Sequence, residues 1–273
     1  MSGMKQALPN GPLSVILIQV QYSPIVQIKE YIPAFQDYVR KNGYPLYTPM
    51  ETEIVRVGRH GEPEKEVFEQ WVFSAADTQQ TIILDSEKIT YQVFDVQSYS
   101  FDTFLQEFIS IVSGLDEIVD ISVVSRLGLR YINSIQEKDD ASWKKLIAKE
   151  FQGPSFPDNI LWLEKELNSF STQKGVFLKD ININSNFKLL LSQNPVGLKY
   201  PQGIQRFPNN EPEFFESGSK VTFLDLDHFV VFSAAPKLEV LNRLSSIFKA
   251  LHSVIEDVFF ESVITAEAKK LWQ

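Results

Sequence analysis

Residues 125–135, SRLGLRYINSI, form the most regularly patterned stretch of the chain and predict a strand around which the fold can be assembled. One face of this strand is apolar and carries Leu127, Leu129 and Tyr131. The opposite face carries Arg126, Gly128, Arg130 and Ile132. The two arginines therefore share a face, about 13 Å apart along the strand. Each guanidinium group needs a partner, either inside the protein or in a ligand.

Upstream of this strand, the sequence predicts a central strand and then a helix. The run PLSVILIQVQY, residues 12–22, is apolar on both alternating faces, which is typical of a strand covered on both sides. Apolar side chains then recur at helical spacing and predict a helix that stops at Asn42-Gly43, with Pro33 where its regular part begins. These apolar positions are Ile28, Ile32, Phe35 and Val39.

Residues 51–66 are charged and contain glycines and a proline, so we expect a loop or an exposed irregular edge there. Three runs rich in aromatic and β-branched residues follow, and they predict an antiparallel meander. The runs are VFEQWVFSA (67–75), QQTIILD (79–85) and KITYQVF (88–94). Ser100 can cap a helix with one apolar side that ends at Gly114.

The second half of the sequence predicts a helix around 143–151 and two strands joined by a hairpin turn at Asn184-Ser185-Asn186. Residues 220–232 predict one long strand or a tight pair of strands. Pro236 and Glu239 then open a single long amphipathic helix.

Elements in this order predict an α+β fold, with a mostly antiparallel sheet and helices packed on one face. The stretches TIILDSEKITYQVF (81–94) and VTFLDLDHFVVF (221–232) resemble each other, and each precedes a predicted helix. Two related α+β lobes, at residues 1–137 and 138–273, are therefore one expectation. One continuous domain is the alternative.

Composition excludes several classes of protein. The 273 residues are 44% hydrophobic, which is ample for a core, and the net charge of -9 opposes binding to nucleic acid and to anionic lipid surfaces. The absence of cysteine removes disulfides and thiolate metal sites, and it fits a reducing compartment. The longest apolar runs are too short to span a membrane. We therefore expect a soluble, cytoplasmic protein.

Residues 194–219 are rich in proline and glycine and show no periodicity, so they predict a long irregular loop. Loops of this length often contact a ligand or partner, although a plain surface insertion is the alternative. The side chains that could make such a contact are Lys199, Tyr200, Arg206 and Phe207.

The arginine face of residues 125–135 supports two interpretations. Arg126 and Arg130 can hold an anion, because guanidinium groups bind carboxylate or phosphate in a bidentate manner and Gly128 lets a ligand approach the backbone. Alternatively, both arginines lie along a polar face or pair with acids, while Gly128 accommodates a bulge or a crossing helix. Asn133 is a further candidate binding residue, although an amide at a strand end more often caps a turn.

The stretch FLDLDHF, residues 223–229, places Asp225 and Asp227 on one strand face and His228 on the other. The two carboxylates are candidate metal ligands, but the sequence identifies no third ligand, so neither a metal nor a cofactor is predicted. Alternatively, the aspartates face the arginine strand and neutralise its two guanidinium groups, since buried charges need partners.

Common enzyme motifs are missing from the sequence, including the glycine-rich nucleotide loops, the nucleophile elbow and the zinc-protease and kinase signatures. His60 and His252 have neither metal-ligand nor triad spacing with His228. We therefore predict no catalytic residue and lean away from an enzyme.

Three stretches, RLGLRYINSI (126–135), LDLDHF (224–229) and the terminal HSVIEDVFFESVITAEAKKLW (252–272), carry a resemblance. They resemble a sporadically distributed bacterial and archaeal family of uncharacterised proteins of about this length. Its G-x-R-Y-x-N signature is met by Gly128, Arg130, Tyr131 and Asn133. The resemblance implies no activity and no site residue, and its patchy distribution is similar to that of accessory or defence-associated genes.

The leading hypothesis is a soluble binding or interaction protein that forms a homo-oligomer and has a protein partner. One alternative is an enzyme or receptor for an anionic small molecule, which would use the arginine pair and the Asp-x-Asp site. The other is a partner component of a toxin-like or defence-associated pair.

Overall fold

The structure is a computed structural model. It describes residues 8–57, 63–94, 96, 100–136, 142–153, 169–194, 204 and 221–273, and only the backbone of 52–57 and 63–67. Its strands are β1 (Leu13–Tyr22), β2 (Leu46–Val57), β3 (Pro63–Ser74), β4 (Gln80–Leu84), β5 (Lys88–Val93), β6 (Val123–Gln136), β7 (Ser169–Leu178), β8 (Ile183–Asn194) and β9 (Val221–Pro236). These nine strands form one antiparallel sheet in the order β2-β3-β4-β5-β1-β6-β9-β8-β7. The predicted mixed fold with a mostly antiparallel sheet is thus confirmed.

The helices of the described residues are α1 (Ile28–Lys41), α2 (Phe101–Val119), α3 (Trp143–Leu146), α4 (Lys237–Leu241), α5 (Leu244–Val258) and α6 (Ala266–Trp272). Pro33 lies within α1, so the regular helix begins earlier than expected. Among the described residues, none of the helices has both the length and the apolar character that a membrane crossing needs.

β1 occupies the middle of the sheet, between β5 and β6. Its consecutive residues Ser14 to Ile18 are all buried. A strand covered on one face would bury only alternate residues, so this pattern requires cover on both faces. The prediction of a central strand at residues 12–22 is confirmed.

The chain divides into two compact units that interleave along the sequence. Unit 1 comprises Met1–Ile16, Leu129–Val230 and Ser246–Gln273, and unit 2 comprises Leu17–Gly128 and Val231–Ser245. The sequence prediction instead divides the chain once, after residue 137. The two divisions differ because β1, β6 and β9 each contribute residues to both units, whereas a pattern followed along the chain can only be cut in order.

In unit 2, the helices α1 and α2 approach closely at Gly114, a residue of α2 that has no side chain. A Cβ atom at Gly114 would lie 2.2 Å from Cζ of Tyr38, so the tyrosine ring fills that space. The Tyr38 hydroxyl also donates to the backbone oxygen of Ser110 over 3.0 Å. Gly114 is therefore a packing position, and the prediction that the helix ends there is wrong. α2 continues to Val119, and Asp120 adopts a left-handed φ of 53° after it.

A carboxylate on α2 ties this helix to the sheet of unit 2. The hydroxyl of Tyr44 lies 2.5 Å from Oε1 of Glu107, and the hydroxyl of Tyr91 lies 2.7 Å from Oε2. Both tyrosines are buried. Phe104, one turn earlier on α2, stacks on Tyr91 with 5.2 Å between ring centroids. Burial, together with the bonds to Glu107, raises the pKa of both phenols far above the ordinary value.

In unit 1, the segment after α3 pairs with the segment before α6. Ala148 N donates to Val263 O over 2.8 Å, and Thr265 N donates to Leu146 O over 3.0 Å. Ile147 and Ile264 form an isolated antiparallel bridge between these bonds. The predicted helix at 143–151 is therefore wrong, because these tertiary hydrogen bonds engage the backbone after only four helical residues.

The charged stretch at 51–66 belongs largely to a hairpin. β2 and β3 pair continuously from Leu46 with Ser74 to Val57 with Pro63. β2 is an edge strand of the sheet, where polar side chains and a proline such as Pro49 are tolerated. The loop alternative is wrong, because an edge strand and a loop can have similar compositions. β2 does lie at an edge of the sheet, as the other alternative expected, but its pairing with β3 is regular.

Two further boundaries differ from the prediction. The turn between β7 and β8 lies between Leu178 and Ile183, with a left-handed φ of 54° at Asn182, and the predicted turn residues 184–186 belong to β8. Asparagine tolerates this conformation because its short polar side chain bonds locally. The predicted single C-terminal helix is divided into α4, α5, a π-helical turn at Phe259–Val263, and α6.

Replacing Glu107 with alanine should lower the free energy of unfolding by about 2–3 kcal/mol, because two buried phenols lose a charged acceptor. Glu117 is exposed on the same helix, so Glu117→Ala should change it by less than about 0.5 kcal/mol. Urea denaturation at pH 7, followed by tryptophan fluorescence, measures both values. Equal losses in the two variants would contradict this account of α2.

Candidate functional site

β6 carries both Arg126 and Arg130, and Arg130 forms an ion pair inside unit 1. Nε of Arg130 donates to Oδ1 of Asp225 over 2.8 Å, and Nη2 donates to Oδ2 over 2.6 Å. Asp225 lies on β9, the neighbouring strand, and is buried. This bidentate geometry matches the planar guanidinium fork to the carboxylate. The hypothesis that an aspartate neutralises this arginine is confirmed for Arg130.

The electrostatics of Arg130 reflect two opposing effects. Burial disfavours its charge, while the hydrogen bonds and charge of Asp225, with the charge of Asp227, favour it and raise the pKa of the guanidinium. Arg130 therefore stays charged at any pH at which the protein is folded. Asp227 lies opposite Lys188 of β8 in the strand register.

Arg126 lies in unit 2 and has a different environment. Its Nη1 donates to Oε1 of Gln19 on β1 over 2.8 Å, and Nε2 of Gln19 donates to Oγ1 of Thr90 over 2.9 Å. The hydrogen bond described for Arg126 thus goes to a neutral amide, which is itself held by a buried hydroxyl.

Gly128 provides the space in which the guanidinium of Arg126 lies. A Cβ atom at this position would be 2.5 Å from Nη1 of Arg126 and 3.0 Å from Cζ. Heavy atoms of real side chains do not approach so closely, so any larger residue would displace the guanidinium. The glycine between the arginines therefore accommodates Arg126 itself, and neither a bulge nor a crossing helix is needed to explain it.

Asn133 is buried within β6, and its Nδ2 donates to the backbone oxygen of Leu224 over 3.2 Å. The expectation that it caps a turn is wrong, because β6 continues to Gln136. Its amide instead adds a side-chain link to the neighbouring strand β9.

The two histidines of unit 1 connect the sheet to α5. His228 Nδ1 donates to the backbone oxygen of Leu251 over 3.0 Å, and its Nε2 lies 2.8 Å from Oγ of Ser185. His252 Nδ1 lies 2.8 Å from the hydroxyl of Tyr131, and its Nε2 lies 3.5 Å from Glu256. The sequence pattern did not predict Ser185 and Tyr131 as partners of these histidines. It placed Ser185 in a turn and Tyr131 on an apolar packing face.

Ser185 and His228 form a serine–histidine pair, but both side chains are buried. A nucleophile must be accessible to its substrate, so this enclosed pair serves the packing of unit 1. The sequence alone does not show that this hydroxyl and this imidazole are neighbours. Alternation along β8 and β9 would indicate it only once the register between the two strands is known.

Several predicted site residues lie outside the described residues. They are Lys199, Tyr200, Arg206 and Phe207 of the predicted loop 194–219, of which only Asn194 and Ile204 are described. His60 also lies outside the described residues. Within the described ranges, no group of three or more histidine, aspartate or glutamate side chains is placed to hold a metal ion. Asp225 instead binds Arg130.

No protein-family model and no curated protein matches the chain. Among solved structures, it is similar to a phage SAM lyase in the apo state, with 12% identity and a TM-score of 0.23 over 47% of this chain and 87% of that one. It is also similar to a phage SAM lyase in complex with S-methyl-5'-thioadenosine, with 14% identity and a TM-score of 0.20 over 47% and 86%. Likenesses this low support neither a common fold nor a common function.

The packing of Arg126 on Gly128 predicts a specific mutational coupling. Gly128→Ala should destabilise the protein by about 1 kcal/mol, because the new Cβ displaces the flexible end of the arginine side chain and breaks its bond to Gln19. In an Arg126→Ala background, the same substitution should have less than half this effect. Gly175 of β7 is the matched strand control, since nothing lies within 4 Å of a Cβ there.

Urea denaturation of the four variants in this cycle, with Gly175→Ala beside them, measures the coupling. Equal effects of Gly128→Ala in the presence and absence of Arg126 would show that the glycine serves another purpose.

Proposed function

We propose that this protein is a soluble, cytoplasmic binding or interaction protein that acts as a homo-oligomer. The observation that carries the proposal is the internal pairing of Arg130 with Asp225. The alternative ligand site would need both of these side chains, but they bind each other instead. The finer expectations for the fold, helices on one face and two related lobes, belong to the same proposal, as does the resemblance to the sporadically distributed family.

The side chains with the strongest chemical potential support this proposal by their contacts. His228 is enclosed between Ser185 and α5, and Glu107 accepts hydrogen bonds from two buried tyrosines. Each of these groups connects a helix to a strand or one strand to another. A protein that uses such groups for its own packing is better suited to recognition through its surface than to chemistry in its interior.

A candidate contact surface lies at one end of unit 2. Val26 is 91% exposed and Leu238 is 68% exposed, unusually high values for large apolar side chains. Ser23 N donates to Val123 O, and Lys237 N donates to Ser122 O. The segments that carry the two apolar residues therefore both meet the start of β6. Exposed large apolar side chains favour a protein contact, and a second copy of this chain is the occupant that we propose.

Native mass spectrometry of the purified protein tests the proposal. We expect the wild type to show an oligomer, and we expect Val26→Asp and Leu238→Asp to shift it to the single-chain mass, because a charge at an apolar contact is costly to bury. Leu271→Asp is the matched control, since Leu271 is an exposed leucine on α6 of unit 1. A single-chain mass for the wild type at all concentrations, with no retained partner, would refute the homo-oligomer.

A further inference from the structure

The strongest unexplained cluster in the structure is the hydrogen-bonded chain through His228. This residue lies on β9, opposite Phe187 of β8, and its ring is fully enclosed. Ser185, two residues from Phe187 on β8, meets one ring nitrogen, and the backbone oxygen of Leu251 on α5 meets the other. One imidazole thus connects two strands of unit 1 to the helix α5.

The proton positions in this chain follow from the chemistry of its members. A carbonyl oxygen only accepts, so Nδ1 of His228 must carry a proton and donate it to Leu251 O. Nε2 is then the nitrogen that is free of a proton when the ring is neutral. The hydroxyl of Ser185 has one proton but two acceptors in reach, since Val176 O lies 3.0 Å away and Nε2 lies 2.8 Å away. One of those two acceptors therefore lacks the serine proton.

A second proton on His228 would complete the chain. Nε2–H would donate to Ser185 Oγ, the Ser185 hydroxyl would donate to Val176 O, and Nδ1–H would still donate to Leu251 O. The hydrogen-bond partners thus suit the charged ring, whereas its enclosure opposes a charge. Enclosure is the stronger effect, and it lowers the pKa of His228 to about 4.

The titratable groups near this chain contact other partners. On α5, the next residue is His252, which bonds to Tyr131 and lies beside Glu256. On β9, strand alternation places Asp227 on the opposite face of the sheet from His228. On β8, the two residues that contact the ring are Ser185 and Phe187, and neither carries a charge.

We propose that His228 is a proton-sensitive anchor of α5, which holds this helix on the sheet of unit 1 at neutral pH and loosens it on mild acidification. When α5 separates from the sheet, water reaches the imidazole, and the proton that the closed structure resists can bind. Acid therefore stabilises the open state relative to the closed one. This property is independent of the partner that the protein recognises.

The pH range follows from the two states of the imidazole. The ordinary pKa of 6.5 applies to the open state, and the pKa of about 4 applies to the closed state. Because the closed-state pKa is lowered, the contribution of His228 to closure is complete above about pH 6.5 and is lost as the pH falls toward 4. At pH 5, the ratio of open to closed molecules should be about thirty-fold higher than at pH 8.

This range can be measured with little interference from other groups. The chain has three histidines and no cysteine, and aspartates and glutamates ordinarily titrate near or below pH 4.3. Between pH 5 and 6.5, histidine is therefore the main side chain that changes its charge.

Hydrogen–deuterium exchange of the full chain, corrected for the intrinsic pH dependence of exchange, tests the proposal. Between pH 8 and pH 5, α5 amides of the wild type should lose protection by about thirty-fold more than α2 amides of unit 2. His228→Gln should abolish this extra loss, and His252→Gln, which removes the histidine that α5 itself carries, should retain it. An equal loss in α5 and α2, or the same loss in His228→Gln, would overturn the proposal.

A second measurement keeps the test valid if His228→Gln does not fold. Nuclear magnetic resonance of wild-type protein with isotope-labelled histidine follows each imidazole, and the signals of His60 and His252 are assigned from His60→Gln and His252→Gln. The remaining signal should stay neutral in the folded protein down to pH 5. Titration of that signal near pH 6.5 without any loss of α5 protection would refute the anchor.

Discussion

A guanidinium group that is half-buried on a strand in the middle of a sheet is strongly stabilised when a carboxylate meets it. Arg130 and Asp225 form such a pair, and their bidentate contact also fixes how β6 and β9 align. A slip of one residue would turn Asp225 to the opposite face and leave Arg130 without its carboxylate. The same alignment turns His228 toward α5, so the ion pair and the histidine anchor depend on one register.

Several polar groups inside the two units lie where two elements meet. Glu107 joins α2 to β5 through Tyr91, and Asn133 joins β6 to β9 through Leu224 O. An apolar core of similar volume tolerates small shifts between elements, whereas a buried hydrogen bond is lost when its partners move by an ångström. These contacts therefore select one arrangement of helices and strands. Because each buried polar group must lose its hydration, a fold contains only a few of them.

Local pattern predicted the elements that have a distinctive run of apolar residues. The central strand at 12–22, the meander and the helix with apolar residues from Ile28 to Val39 agree with the structure, although the regular part of that helix begins before Pro33. Elements that depend on distant contacts could not be predicted in the same way. The helix at 143–151 is interrupted by pairing between Ile147 and Ile264, which are remote in sequence, and Gly114 looks like a helix end until Tyr38 is placed against it.

The candidate site divides in the same way. Alternation along single strands predicted that the arginines share a face and that His228 points away from Asp225, because a strand's period is a local property. The choice of partners depends on register between strands, so the contact of Arg126 with Gln19 was not visible in the sequence.

Ionisation of the buried tyrosines provides an absorbance signal for alkaline unfolding of the protein. The phenols of Tyr44 and Tyr91, with that of Tyr22, have pKa values raised far above the ordinary value, mainly by burial. They remain un-ionised while the fold is intact, and the unfolded chain would ionise them near pH 10. Their stabilising contribution is thus present below about pH 10 and lost above it. The tyrosinate absorbance that comes from these three side chains should accordingly rise in a cooperative step that coincides with the loss of structure.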